Sequence, residues 1–137
     1  MATNIFVNLP VKDLQRSIDF FTALGYTFNS QFTDQNATCM IISENIYCML
    51  LIEPFFSRFM KKEIIDAHKS VECTVCLSME SKDAVNIWAE KALSLGATEN
   101  EVPDMNQGET MFGRSINDLD GHIWEIMWMD PNVIQKN

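Results

Sequence analysis

The chain has 137 residues, 47% of them hydrophobic and 21% charged, which is enough for one ordinary domain with its own core and short of the length of two. Nineteen acidic against ten basic side chains leave a formal charge of −9, which opposes binding to nucleic acid or anionic lipid and favours solubility. No apolar stretch approaches the roughly 20 residues that a bilayer requires, and the N-terminus lacks a basic region followed by an apolar core, so a cytoplasmic protein without a membrane partner is expected.

Ile5 to Val11 alternates, with Ile5, Val7, Leu9 and Val11 on one face and Phe6 and Asn8 on the other, and reads as a strand. Asp13 caps a helix carrying Leu14, Ile18, Phe21 and Leu24 at helical spacing, and Gly25 suits the left-handed position that ends it. Strands are expected at Tyr26–Phe32, Ala37–Ile42 and Ile46–Ile52, giving the order βαβββ. From Pro54 to Ser70 the aromatic and basic residues interleave as in a short amphipathic helix joining two halves.

The first pattern then recurs. Glu72 to Met79 alternates, Ser81 caps a helix with Val85, Trp88, Ala89 and Ala92 inward, and Leu95-Gly-Ala-Thr98 echoes Leu24-Gly-Tyr-Thr27. A polar loop from Glu99 to Glu109, with four acidic side chains, reads as solvated. Beyond it, two apolar runs flank Asp118-Leu-Asp-Gly121, the composition of a tight turn between antiparallel strands. The second run, Ile123 to Met129, is apolar at nearly every position except Glu125. A carboxylate there is costly to bury unless it is paired, protonated or metal-bound.

Two such units, with Val11-Lys-Asp13 before the first helix, Leu-Gly after each helix, and Ile116-Asn-Asp-Leu-Asp-Gly-His-Ile-Trp-Glu125 near the end, resemble the glyoxalase/bleomycin-resistance/dioxygenase (vicinal oxygen chelate) superfamily. The likeness covers about residues 4 to 131, with Leu119 where the family commonly has Pro. It implies an α+β fold in one domain over 1–137: unit one at about 4–53, a helical connector at about 54–70 and unit two at about 71–131. The two tandem βαβββ units would form a curled, incomplete eight-stranded barrel with helices outside and a cavity inside, in a protein that is a homodimer.

The helices need the more apolar face of each strand, so Val7, Leu9, Tyr47 and Met49 are expected toward the first helix, and Val75, Leu77, Trp124, Ile126 and Trp128 toward the second. Phe6, Asn8, Cys48 and Leu50 then line the concave side in unit one. Glu72, Thr74, Cys76, Glu125 and Met127 do so in unit two. In metal-dependent relatives the resemblance places a His or Glu ligand on the first and last strand of each unit. Carried over, those places fall on Phe6, Cys48, Thr74 and Glu125. Only Glu125 is a good ligand and Cys48 a soft one, so a divalent metal is disfavoured and no cofactor is expected.

The four cysteines, Cys39, Cys48, Cys73 and Cys76, sit in apolar or strand-like segments and read as reduced. Cys73 and Cys76 share CxxC spacing, but residues three apart on a strand face opposite ways. With the hairpin centred on residues 118–121, Arg114 is expected across from Glu125 as its ion-pair partner, offered to an anionic or polar ligand with Asn8 and Thr74. Phe6, Leu50 and Met127 would form the apolar wall. These features favour a small-molecule-binding protein nearer the bleomycin-resistance branch. The alternatives are a metal-dependent lyase or dioxygenase of the glyoxalase type using Glu125 as catalytic residue, and a non-catalytic interaction domain.

Overall fold

The structure, a computed structural model, describes residues 2–102 and 108–134. The chain divides into two compact units, Met1–Ile65 and Asp66–Asn137. Each begins with a strand that runs into a capped helix. In the first unit β1 (Ile5–Val11) leads to α1 (Leu14–Ala23), where the Asp13 carboxylate accepts the Arg16 N–H at 3.1 Å. That bond satisfies one of the N–H groups left over at a helix start. Phe20 and Phe21 are buried on the inner stripe of α1, and Gly25, at φ +105°, turns the chain out of the helix. Short β2 (Thr27–Asn29), β3 (Ala37–Ser43) and β4 (Ile46–Ile52) complete a sheet of order β1-β4-β3-β2, parallel between β1 and β4 and antiparallel elsewhere. The expected strand at 26–32 is cut short, because Asn29 caps a 3-10 turn at Ser30–Phe32 by accepting the Gln31 N–H at 2.9 Å.

The expected connector helix is reduced to α2 (Glu53–Phe56) and one 3-10 turn, Ser57–Phe59. Pro54 starts it well, but Phe59 and Ile65 lie exposed. A few turns of helix without a buried stripe do not persist, and helical spacing alone did not supply one.

In the second unit β5 (Thr74–Ser78) leads to α3 (Lys82–Ser94), capped by Ser81, whose hydroxyl oxygen accepts the Ala84 N–H at 3.0 Å. Val85, Trp88, Ala89 and Ala92 are its buried residues. Then come β6 (Thr98–Glu99), β7 (Met111–Asn117), β8 (Ile123–Met129) and the one-turn α4 (Pro131–Ile134). The sheet order is β5-β8-β7-β6, the same topology as in the first unit. The fold is α+β, built from two repeated βαβββ units. The polar loop expected from Glu99 starts later than that, since Glu99 pairs with Ile116 in the sheet and the Asn100 N–H donates to the Ser115 carbonyl at 2.8 Å. Residues 103–107 of that loop lie outside the described residues.

Within the second unit the end of the connector lies on the β7–β8 turn. Gly121, at φ +88°, has no room for a side chain: a Cβ there would sit 2.7 Å from the His68 nitrogen and 2.8 Å from the Ala67 carbonyl carbon. Asp66 anchors this strap, its carboxylate accepting the His68 N–H at 3.0 Å and its carbonyl the N–H groups of Lys69 and Ser70 at 2.9 Å. Gly121→Ala therefore meets both a left-handed backbone and two backbone neighbours, whereas Gly25→Ala meets only the first, with nothing within 4 Å. In urea unfolding, Gly25→Ala should cost about 1–2 kcal/mol, and Gly121→Ala at least about 2 kcal/mol more. Equal costs would mean that the strap is not seated on the turn.

Candidate functional site

The β7–β8 register decides which side chains share a face in the second unit. The turn is longer than the sequence suggests: the Asp118 N–H donates to the His122 carbonyl at 2.8 Å, so residues 118–122 form the loop. The Asp118 carboxylate organises it, accepting the N–H groups of Asp120 and His122, each at 2.9 Å, on one oxygen and the Trp124 indole N–H at 2.9 Å on the other. Burial pushes the Asp118 carboxyl up from its usual range, against the opposing pull of His122 and of these donors. The resulting register pairs Ser115 with Glu125 and Arg114 with Ile126.

A slip of one residue turns every side chain to the other face. The expected Arg114–Glu125 pair is accordingly absent. Arg114 lies on the α3 side, where it bonds Glu90 at 2.8 Å, both oxygens of Glu99 at 3.1 Å and Asn86 at 3.2 Å. Burial works against its charge, but the bonds and charges of Glu90 and Glu99 outweigh that and raise its pKa. Arg114 tethers the helix to β6 and β7. Trp124, Ile126 and Ile116, all fully buried, form the core on the same side.

Glu125 faces the opposite way, with Thr74 and Cys76 of β5 and Met127 of its own strand. The Thr74 hydroxyl donates to Glu125 Oε1 at 2.7 Å. Among the described residues no cation pairs with the carboxylate, which is half-buried. The Cys76 thiol, directly beside it in register, is pushed up by burial and then by the Glu125 charge. Glu72, expected on this face, precedes β5 and is exposed.

Farther along the same face four further polar residues that the sequence does not single out join it, in two bonded pairs. Asn117 donates to the Thr98 hydroxyl at 3.2 Å, and Asn100 to the Ser115 hydroxyl at 3.0 Å. With Ile123 and the 67–71 strap, three of them (Thr98, Asn100 and Asn117) line a recess of about 340 Å³. The only signal for it in the sequence is the run of polar residues at alternate positions in β6–β7, which reads equally well as a solvated edge.

In the first unit the residues expected on one face divide between two. Phe6 is 50% exposed and stacks on Tyr47, ring centroids 4.9 Å apart, while Asn8 is exposed and donates to the Phe6 carbonyl at 3.0 Å. Cys48 and Leu50, expected beside them, are instead fully buried in register with Val7 and Leu9, and Tyr47 and Met49 take their places beside Phe6 and Asn8. β4 is apolar on both faces, so hydrophobicity carries no phase; the parallel pairing with β1 sets it.

Superposing the helix caps Asp13 and Ser81 in sequence equates Phe6 with Thr74 and Asn8 with Cys76. The pairings Asn8–Met49 and Cys76–Glu125 then equate Met49, rather than Cys48, with Glu125. The places that carry metal ligands in metal-dependent relatives therefore hold a phenyl ring and a thioether in unit one, and a hydroxyl and a carboxylate in unit two. That donor set does not fit a hard divalent ion. Among the described residues no three His, Cys, Asp or Glu side chains gather as a metal site.

Residues 3–43 match the family model described as bleomycin resistance protein-like N-terminal. A glyoxalase/bleomycin resistance protein/dioxygenase family enzyme of Burkholderia phytofirmans superposes with a TM-score of 0.77 at 14% identity, over 93% of this chain and 99% of that one. The fold is that of the glyoxalase/bleomycin-resistance/dioxygenase superfamily. The same glyoxalase fold relates the chain to a hypothetical protein of S. aureus, with TM-score 0.77, 23% identity and coverage of 93% and 94%. It also relates the chain to the fosfomycin resistance protein FosX of Listeria monocytogenes, with TM-score 0.70, 16% identity and coverage of 99% and 98%. Among curated proteins no sequence matches.

Because burial and then the Glu125 charge push the Cys76 thiol up, Glu125→Gln should speed alkylation of Cys76 by iodoacetamide at pH 8 several-fold, since only the thiolate reacts. Mass spectrometry of the peptide containing Cys76 would follow it, and an unchanged rate would separate the two groups.

Proposed function

We propose that the chain binds a small organic cation on the sheet face carrying Glu125, and that it acts by sequestration without a divalent metal. The observation that carries this reading is the half-buried Glu125 carboxylate, held by one hydroxyl bond from Thr74 and paired with no cation among the described residues. A carboxylate on such a face gains most from a ligand that brings a positive charge. Met127 and Ile123 on the same strand face offer polarizable apolar contact on either side of it. The net charge of −9 adds long-range attraction for a cation. Match to the bleomycin resistance-like model over residues 3–43 supports the same direction.

Thr74 and Met127 belong to this proposed site with Glu125, and Phe6 and Asn8 belong to the open face of the first unit. Cys48, Leu50 and Arg114 are left to the core and the helix tether. The reading includes a homodimer, the state that the resemblance implies, in the cytoplasm; a single monomeric species in sedimentation equilibrium would remove the dimer.

One competing reading rests on the same residue. A carboxylate bonded to a single hydroxyl is also poised as a general base toward an acidic C–H, as in a lyase of the glyoxalase type. Turnover of the hemithioacetal of methylglyoxal, lost in Glu125→Gln, would replace sequestration by catalysis. For the sequestration reading, calorimetric titration with bleomycin and with benzyl quaternary ammonium salts should give saturable binding. Glu125→Gln should weaken it at least about tenfold, the loss of one charge-assisted contact. Absence of heat for every cation, or binding indifferent to Glu125→Gln, would contradict it.

A further inference from the structure

The recess of about 340 Å³ on the second unit has a chemistry different from that of Glu125. Its floor is Thr98 of β6, Asn100 just after that strand and Asn117 of β7, and its rim is the strap with His68, Lys69 and Ser70. The two sides offer complementary groups. Each floor carboxamide spends an N–H on a neighbouring hydroxyl, Asn117 on Thr98 and Asn100 on Ser115. What remains is the carboxamide oxygen of each as acceptor, with the second amide N–H and the Thr98 hydroxyl proton as donors. On the rim, the side chains of His68, Lys69 and Ser70 have no protein partner among the described residues, since the bonds of this strap to Asp66 use its backbone N–H groups alone. Among the residues that line the recess, Lys69 brings the one formal charge, an ammonium next to an imidazole.

We propose that this recess is a binding site for a small hydroxylated anion, such as a sugar phosphate or a sugar acid. The anionic group lies against Lys69, His68 and the Ser70 hydroxyl. Its hydroxyl groups donate to the amide oxygens of Asn100 and Asn117 and accept from Thr98. Ile123 and Val71 give the carbon skeleton an apolar surface. The volume lies within the range of small-molecule pockets, at its lower end, which suits a ligand of one sugar ring. The strap is folded on itself by Asp66 and lies close against Gly121 of the unit that also supplies the floor.

The recess lies farther along the face of Glu125 and shares Ile123 with it, but Glu125 is not among its lining residues, and the test keeps the two apart. Glucose 6-phosphate, gluconate, glucose and inorganic phosphate are titrated separately into the full chain, with binding followed by amide chemical shifts. The two hydroxylated anions should bind with a dissociation constant of about 1 mM or tighter, shifting the amides of Thr98, Asn100 and Asn117. Glucose and inorganic phosphate should each bind more weakly. Lys69→Ala, on the exposed strap, should weaken glucose 6-phosphate about tenfold and leave glucose unchanged. Asn117→Leu should weaken all sugars, with thermal unfolding confirming that the variant folds. Glu125→Gln should change none of these. Shifts absent at tens of millimolar, inorganic phosphate binding as well as the sugar phosphate, or affinities unaltered by Lys69→Ala would each overturn the proposal.

Discussion

The side chain of Asp118 sets the register of the hairpin on which the second unit depends. Its carboxylate gathers two backbone N–H groups and the Trp124 indole into one turn, and the fifth residue which that turn admits moves the whole of β8 by one step against β7. A sheet has a side-chain period of two, so this step decides between two opposite molecules. In the one observed, Trp124 and Ile126 fill the core under α3, Arg114 ties the helix down, and Glu125 faces away from both. Gly121, in the same turn, admits the strap that borders the recess. Position of the site, packing of the helix and placement of the rim all follow from one small loop.

Much of the fold is legible in the residues because its signals are local. Asp13 and Ser81 announce the helix starts, Gly25 a helix end, and alternating or continuous apolar runs give β1, β4 and β8 with their observed bounds. The two-unit repeat follows from those signals taken together. Faces are less legible than elements. β4 reads apolar on both sides, so Cys48 and Leu50 could be placed only by their pairing with β1, a contact some forty residues away in sequence. The face of Arg114 is hidden for a related reason: composition marks a turn at Asp-Leu-Asp-Gly, but not how many residues the Asp118 side chain draws into it. The connector failed differently, since helical spacing without a surface to bury it does not make a helix.

Comparison of the two units within the chain shows where function can reside. The same architecture holds Asn8 and Met49 in one and Cys76 and Glu125 in the other. Duplication therefore supplies two similar platforms, and the second carries an ionisable group, a polar row and a recess. Fold likeness to proteins as different as FosX and a hypothetical S. aureus protein fixes the platform and leaves the ligand to these side chains.

Stability measurements on Arg114 and Glu125 test the register that underlies this account. A double-mutant cycle with Arg114→Met and Glu125→Gln should show coupling within about 0.3–0.5 kcal/mol of zero, as expected for groups without shared partners. The parallel cycle of Arg114→Met with Glu99→Gln should show coupling of about 0.5–3 kcal/mol. Coupling of that size between Arg114 and Glu125 would put the two on one face and contradict the account.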